Sequence, residues 1–262
     1  MLHHFLSPPN WFTAASIFCS VTALSLLIGP TAAEADVLAR AAVLIVFGGI
    51  FDLLDGRVAR LTKRQSEFGV QLDSIADIIG FGVAPAMLAW AWKLSELGTL
   101  GVVVAFWYVL SASFRLARFN VEATSQSWPY AGHTRGLTST MSGGILVTLV
   151  WVANGTFLGR LDLPVWALAS FVCLLGLLML SSVPFRSFRD LRRNRIARRL
   201  LGASLAACLT AAFVVDFSVF FATGAVLYLV AGLIDGFAVA LVHGRLGPAL
   251  LLGEDEELDR ER

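Results

Sequence analysis

The chain has 262 residues, 57% of them hydrophobic and only 15% charged, with a mean hydropathy of +0.75. A soluble domain normally carries about 25% charged residues, so the composition excludes an ordinary water-soluble globule and points to lipid as the surrounding medium. The net charge of +1 gives no sign of a polyanionic partner such as nucleic acid, and the three cysteines (Cys19, Cys173 and Cys208) lie far apart in apolar stretches, with no disulfide or metal-ligand spacing.

The N-terminal MLHHFLSPPNWF lacks a basic region and a small-residue cleavage site, so the first apolar stretch reads as a retained span rather than a signal peptide. About 20 mostly apolar residues are needed to cross the hydrocarbon core as a helix. Eight stretches qualify, approximately 11–30, 37–55, 70–93, 97–117, 139–158, 164–184, 199–220 and 222–242. The alternating pattern of a membrane barrel is absent. The expected fold is therefore an all-α polytopic bundle of eight transmembrane helices. Residues 1–245 form one membrane domain, and the charged tail 246–262, ending GEDEELDRER, is expected to be disordered.

Basic residues mark every second connection. Arg57, Arg60, Lys63 and Arg64 follow the second stretch, and Arg115, Arg118 and Arg135 follow the fourth. Seven arginines lie between 186 and 199, after the sixth. The intervening connections (31–36, 94–96, 159–163 and 216–221) hold few basic residues. The positive-inside rule then puts both termini on the cytoplasmic side.

Four aspartates stand in FDLLDGRVARLTKRQSEFGVQLDSIADIIGFG. Asp52 and Asp55 are three apart and share a helix face; Asp73 and Asp77 are four apart and share another. The short linker makes the two helices antiparallel neighbours, so the faces can meet at the cytoplasmic edge. Two carboxylates 4 Å apart repel by roughly 4 kcal/mol at an effective dielectric near 20, and an ionised group in a span costs about 2.5–3.5 kcal/mol at the helix centre. Four together require cations. An all-carboxylate set suits hard divalent ions such as Mg²⁺ or Mn²⁺, whose coordination is usually completed by substrate phosphates. Gly56, Ala59 and Gly69 leave room beside the acids for a flat ligand or for close helix packing. Arg60 can reach a phosphate, whereas Arg57, Lys63 and Arg64 read as surface charge.

The run Asp52-x2-Asp55-Gly56-x2-Ala59-Arg60-x8-Gly69-x3-Asp73-x3-Asp77 resembles the signature of the CDP-alcohol phosphatidyltransferases. That resemblance implies a CDP-linked lipid such as CDP-diacylglycerol, a small alcohol as acceptor and CMP as leaving group. It implies two divalent ions held by Asp52, Asp55, Asp73 and Asp77, with Asp77 also the general base. Gly56, Ala59 and Gly69 would border the cytidine, and Arg60 would contact the diphosphate. Three further segments are similar to bacterial and archaeal phosphatidylserine synthases: PNWFT from Pro9, RLARFN from Arg115 and MLSSVPFRSFR from Met179. Asn10 and Thr13 would contact the nucleotide. One segment departs: where that subfamily has Gly-Leu-Pro-x-Pro, this chain has Gly136-Leu137-Thr138-Ser139-Thr140.

With L-serine as acceptor, its carboxylate needs a cationic partner, for which Arg115, Arg118 and Arg135 are candidates, with Asn120 a polar neighbour. Arg186 and Arg189 are the members of the arginine run expected to touch lipid phosphate. His133 reads as interfacial. Asp235 either hydrogen-bonds within the bundle or acts at a subunit contact. Membrane lipids and a second copy of the chain, in a homodimer, are the other expected partners, and the expected location is a bacterial or archaeal inner membrane. Two alternatives stand beside phosphatidylserine synthesis. One is the same chemistry on inositol phosphate, glycerol phosphate or choline. The other is cation transport, which predicts carboxylates spread through several spans near the midplane; here all but Asp235 cluster at one edge.

Overall fold

A computed structural model describes residues 8–62, 66–125, 133–154, 162–186, 223–224, 226–230 and 232. The predicted span 199–220 therefore lies outside the described residues, as do Asp235, Arg189 and the tail, and eight residues of the predicted span 222–242 are described. The chain is mostly helical. In order it forms α1 (Pro8–Leu27), α2 (Ala35–Thr62), α3 (Glu67–Asp77), a π-helical segment (Ile78–Val83), α4 (Ala84–Trp92) and α5 (Thr99–Ser125), then β1 (His133–Arg135), α6 (Ser139–Asn154), α7 (Val165–Leu180) and β2 (Pro184–Arg186).

Among the described residues, four helices are long and apolar enough to cross a membrane: Pro9–Leu27, Ala35–Val58, Glu67–Trp92 and Thr99–Glu122. α6 and α7 are apolar but have 16 residues each, about 24 Å at 1.5 Å per residue. Apolar side chains such as Phe18, Phe47, Phe106, Phe114 and Trp166 point outward from the bundle, as lipid contact requires.

Two buried clusters hold the helices together. One gathers Ala23, Leu38, Ala42, Leu88 and Val150 from α1, α2, α4 and α6. The other gathers Ala89, Tyr108, Leu146, Val172 and Met179 from α4 to α7. α4 and α6 contribute to both and form the centre. Lipid tails offer no hydrophobic drive for helix association, so close approach over small residues does that work. A Cβ on Gly48 would lie 3.4 Å from Ser16 O and 3.6 Å from Cys19 Cβ, which lets α2 lie against α1. A Cβ on Gly143 would come within 3.0 Å of Phe81 O, so α6 presses onto the π-helical segment.

The helix ends depart from the predicted spans for physical reasons. α2 runs through Asp55 and on to Thr62, because GRVARLT is a competent helix former even where it leaves the apolar layer. α3 begins at Glu67, capped by Ser66, whose Oγ accepts from the Gly69 N–H at 3.0 Å. The third predicted span is not one regular helix. Past Asp77 it widens, and the Ala84 N–H reaches back five residues to Ile79 O. α7 stops at Leu180, four residues early, because Pro184 cannot continue a helix and its last carbonyls find other partners. The chain then forms a two-stranded antiparallel ribbon that helix periodicity did not suggest, pairing His133 with Arg186, Thr134 with Phe185 and Arg135 with Pro184.

The start of α1, end of α2, start of α3, end of α5, start of α6 and end of α7 all meet at one end of the bundle. The candidate site lies there.

Candidate active site

Asp52 and Asp55 occupy the second half of α2, and Asp73 and Asp77 the second half of α3. One carboxylate oxygen from each of Asp52, Asp55 and Asp73 lies within 4.8 Å of the others. Ionised, each such pair repels by about 3.5 kcal/mol at an effective dielectric near 20. Asp77 joins from one turn further along α3, its carboxyl within hydrogen-bonding reach of Asp52. Its Oδ1 is buried and has no hydrogen-bond partner among the described residues. Asp55, 5% exposed, accepts a hydrogen bond from Thr13 Oγ1 at 2.8 Å. Thr13 is thereby the group that orients Asp55, a role beyond the nucleotide contact expected of it.

The glycines flank this cluster differently. A Cβ on Gly56 would meet nothing within 4 Å, so α2 presents open space beside Asp55. A Cβ on Gly69 would lie 3.2 Å from Ser66 Oγ and 3.4 Å from Asn10 Oδ1. Asn10 and Gly69, expected to share the nucleotide, are thus brought side by side. The side chains of Ala59, Arg60 and Arg186 lie outside what is described.

An all-carboxylate donor set, a buried uncommitted oxygen on Asp77 and the vacant surface of Gly56 together fit a divalent cation. The aspartate cluster can hold one.

On the facing side, α5 supplies Arg115, Arg118 and Asn120. Arg115 is 7% exposed and donates to Ser139 Oγ at 3.3 Å, while its charge acts on Asp77. Its guanidinium also lies over the Phe119 ring, 5.1 Å from the centroid. Asn120 Nδ2 donates to Ser74 Oγ at 3.0 Å, tying α5 to the residue beside Asp73. Arg135 Nε donates to Ser182 Oγ at 3.0 Å.

Arg118, expected at the acceptor, is engaged by backbone carbonyls. Its NH1 donates to Leu180 O at 2.8 Å, and its NH2 points to the carbonyls of Met179, Arg135 and Ser181 at 3.0, 3.1 and 3.3 Å. It closes the C-terminal end of α7, where helix carbonyls lack partners of their own. The same carbonyls crowd Gly136, which adopts φ +70° and would place a Cβ 2.6 Å from Met179 O. Only glycine combines that conformation with that approach.

The departing Gly136-Leu137-Thr138-Ser139-Thr140 segment acquires a local reason. Thr138 Oγ1 accepts from the Met141 N–H at 3.3 Å and opens α6, and Ser139 is the partner of Arg115. Ser74 and Glu122 were not among the expected site residues, and Ser139 was expected only as part of the departing segment. Glu122, paired with Arg135 at 3.4 Å, was detectable: it lies seven residues beyond Arg115 and four beyond Arg118, on one helix face.

A Helicobacter pylori protein named CDP-diacylglycerol–serine O-phosphatidyltransferase is 36% identical over 186 residues, covering 71% of this chain and 74% of its own. A Bacillus subtilis protein of the same name is 34% identical over 149 residues, covering 56% and 76%. A Saccharomyces cerevisiae one is 50% identical over 82 residues, covering 31% and 29%. Residues 6–185, from the entry to α1 through β2 and including all four aspartates, match the CDP-alcohol phosphatidyltransferase family, and the chain belongs to it.

Proposed function

We propose that this chain is a membrane enzyme that transfers a phosphatidyl group from CDP-diacylglycerol to the hydroxyl of L-serine, giving phosphatidylserine and CMP. The convergence of Asp52, Asp55 and Asp73 within 4.8 Å, with Asp77 alongside, carries the reading. Family membership supports the donor, and the names of the similar proteins support serine as acceptor.

Asp52, Asp55, Asp73 and Asp77 are assigned to two divalent ions, Mg²⁺ or Mn²⁺. Bound there, such ions supply charge neutralisation at the diphosphate and at the departing CMP. Asn10, Thr13, Gly56, Ala59 and Gly69 are assigned to the cytidine end and Arg60 to the diphosphate, with Arg186 and Arg189 at lipid phosphates. The serine oxygen attacks the phosphorus that carries diacylglycerol as the bond to the CMP oxygen breaks. The hydroxyl proton passes to Asp77, which lies one turn beyond Asp73 on α3 beside the clustered carboxylates. Arg115 and Arg135 receive the serine carboxylate, Asn120 holds Ser74 and the neighbouring Asp73 in place, and Arg118 fixes the backbone that carries Arg135. Among the described residues, Ser74 and Ser139 are engaged by Asn120 and Arg115 and no cysteine or histidine joins the aspartates, which favours direct transfer without a covalent intermediate.

The loop arginines support eight spans within a 1–245 membrane domain, both termini and the aspartates on the cytoplasmic side of a bacterial or archaeal cell membrane, and a homodimeric assembly is included in the reading.

The test offers purified full-length protein labelled CDP-diacylglycerol and Mn²⁺ or Mg²⁺, with serine, inositol phosphate, glycerol phosphate and choline supplied separately. Serine-dependent CMP release is expected. No release with any acceptor would overturn the enzyme reading, and release only with another alcohol would overturn serine.

A further inference from the structure

We propose that Glu122 is the binding partner of the acceptor's ammonium group, and that it makes the site selective for a zwitterionic amino alcohol over an anionic one. This rests on the phosphatidyl-transfer reading above and adds a subsite to it.

Glu122 sits in the last turn of α5, with its side chain 18% exposed. Among the described residues its one ion pair is to Arg135 NH1, through Oε1, at 3.4 Å. A committed guanidinium–carboxylate contact is about 2.7–2.9 Å, so this pair is loose. Arg135 is meanwhile held by Ser182 through Nε at 3.0 Å. The charges of Arg115 and Arg118 also act on Glu122, yet Arg118 spends its donors on carbonyls and Arg115 donates to Ser139. Glu122 therefore offers a partly buried carboxylate whose one ion pair among the described residues is a loose one.

Its position matters as much as its charge. Arg115 is close enough to act electrostatically on both Asp77 and Glu122, so a base, a cation and an anion lie in one neighbourhood. Serine carries a hydroxyl, a carboxylate and an ammonium on three adjacent carbons. With the hydroxyl at Asp77 and the carboxylate at Arg115 and Arg135, the ammonium needs an anion on the α5 side, which Glu122 supplies. A phosphate-bearing alcohol set against the same arginines would meet Glu122 as a like charge, which is how a site rejects a competitor.

The discriminating measurement compares serine with 3-hydroxypropionate, which keeps the hydroxyl and carboxylate and lacks the ammonium. Full-length protein in lipid vesicles is assayed for serine-dependent CMP release, and 3-hydroxypropionate is titrated in as a competitive inhibitor. Glu122→Gln should lower kcat/KM for serine about 10- to 100-fold, the range for a hydrogen bond to a charged group. Inhibition by 3-hydroxypropionate should stay within about 3-fold of wild type or strengthen, because only a charge it does not use is removed. Equal weakening of serine and 3-hydroxypropionate would overturn the proposal and leave Glu122 as a support for Arg135. Should Glu122→Gln not fold, Glu122→Asp carries the same comparison, since drawing the carboxylate back by one methylene must weaken serine more than 3-hydroxypropionate. Wild-type protein that releases CMP with other alcohols and not with serine would instead strike the serine reading itself, so the two failures are distinct.

Discussion

At the scale of single residues, the site separates groups that meet the reactants from groups that hold them. Asp77 belongs to the first kind in the proposed mechanism, and Asp77→Asn keeps its size while removing the basic oxygen. Turnover should fall by at least about 100-fold, the lower range for a general base, with the protein still folded by thermal melting in detergent; substantial residual CMP release would contradict the assignment. Thr13 belongs to the second kind, because its hydroxyl donates to Asp55 at 2.8 Å. A group that orients a metal-binding carboxylate typically changes metal affinity by about 10- to 100-fold when removed. Thr13→Val, similar in shape and without the hydroxyl, should raise the Mn²⁺ concentration for half-maximal activity by about that factor. An unchanged Mn²⁺ curve would show that Asp55 needs no such support. Thr13 was legible in sequence as a site residue. Its partner was not, because a contact spanning 42 positions follows from how α1 lies on α2 and not from local pattern.

Among elements, the aspartate pairs were legible because helical spacing is local, and the ribbon was not because it pairs segments about fifty residues apart. Hydropathy also misplaced the ends of α2, α5 and α7, since it senses where lipid begins rather than where hydrogen bonding stops. The π-helical segment after Asp77 escaped for a similar reason: IIGFGV is as apolar as a regular span, and its departure appears only in the reach of the Ala84 N–H to Ile79 O. That segment is held from outside. Tyr108, wholly buried, contacts Ser142 Oγ at 3.1 Å and donates to Phe81 O at 3.4 Å, while Gly143 gives α6 its approach to Phe81. Gly143→Val would drive side-chain atoms into that backbone, and overpacking of this kind costs about 1–3 kcal/mol. A lower melting temperature and weaker activity should follow together, because the displaced segment begins at the residue after Asp77. Gly144→Val is the control, since a Cβ there meets nothing within 4 Å; equal effects from both would mean that the Phe81 contact is unimportant.

Over the whole molecule, six helix ends carry the site to one end of the bundle, and the described basic residues Arg57, Arg115, Arg118 and Arg135 lie toward that same end. The expected orientation rests on arginine and lysine resisting translocation, and the expected eight spans rest on hydropathy; among the described residues four helices are long enough to cross, and α6 and α7 are shorter. The two features can be tested together by labelling. Cys19, Cys173 and Cys208 would first be replaced by alanine. Thr31 is exposed in the connection between α1 and α2, and Glu67 is exposed at the start of α3, so a cysteine at either position would be reachable by reagent on its own side. In intact cells, Thr31→Cys should react with a membrane-impermeant maleimide, and Glu67→Cys should react only after permeabilisation. The reverse pattern would place the aspartates outside the cell. That placement would be incompatible with CDP-diacylglycerol and serine supplied from the cytoplasm, and with the direction set by Arg57, Arg60, Lys63 and Arg64. Labelling of both positions in intact cells would break the proposed topology at α2 itself, because residues 35–62 could then no longer cross the membrane between them.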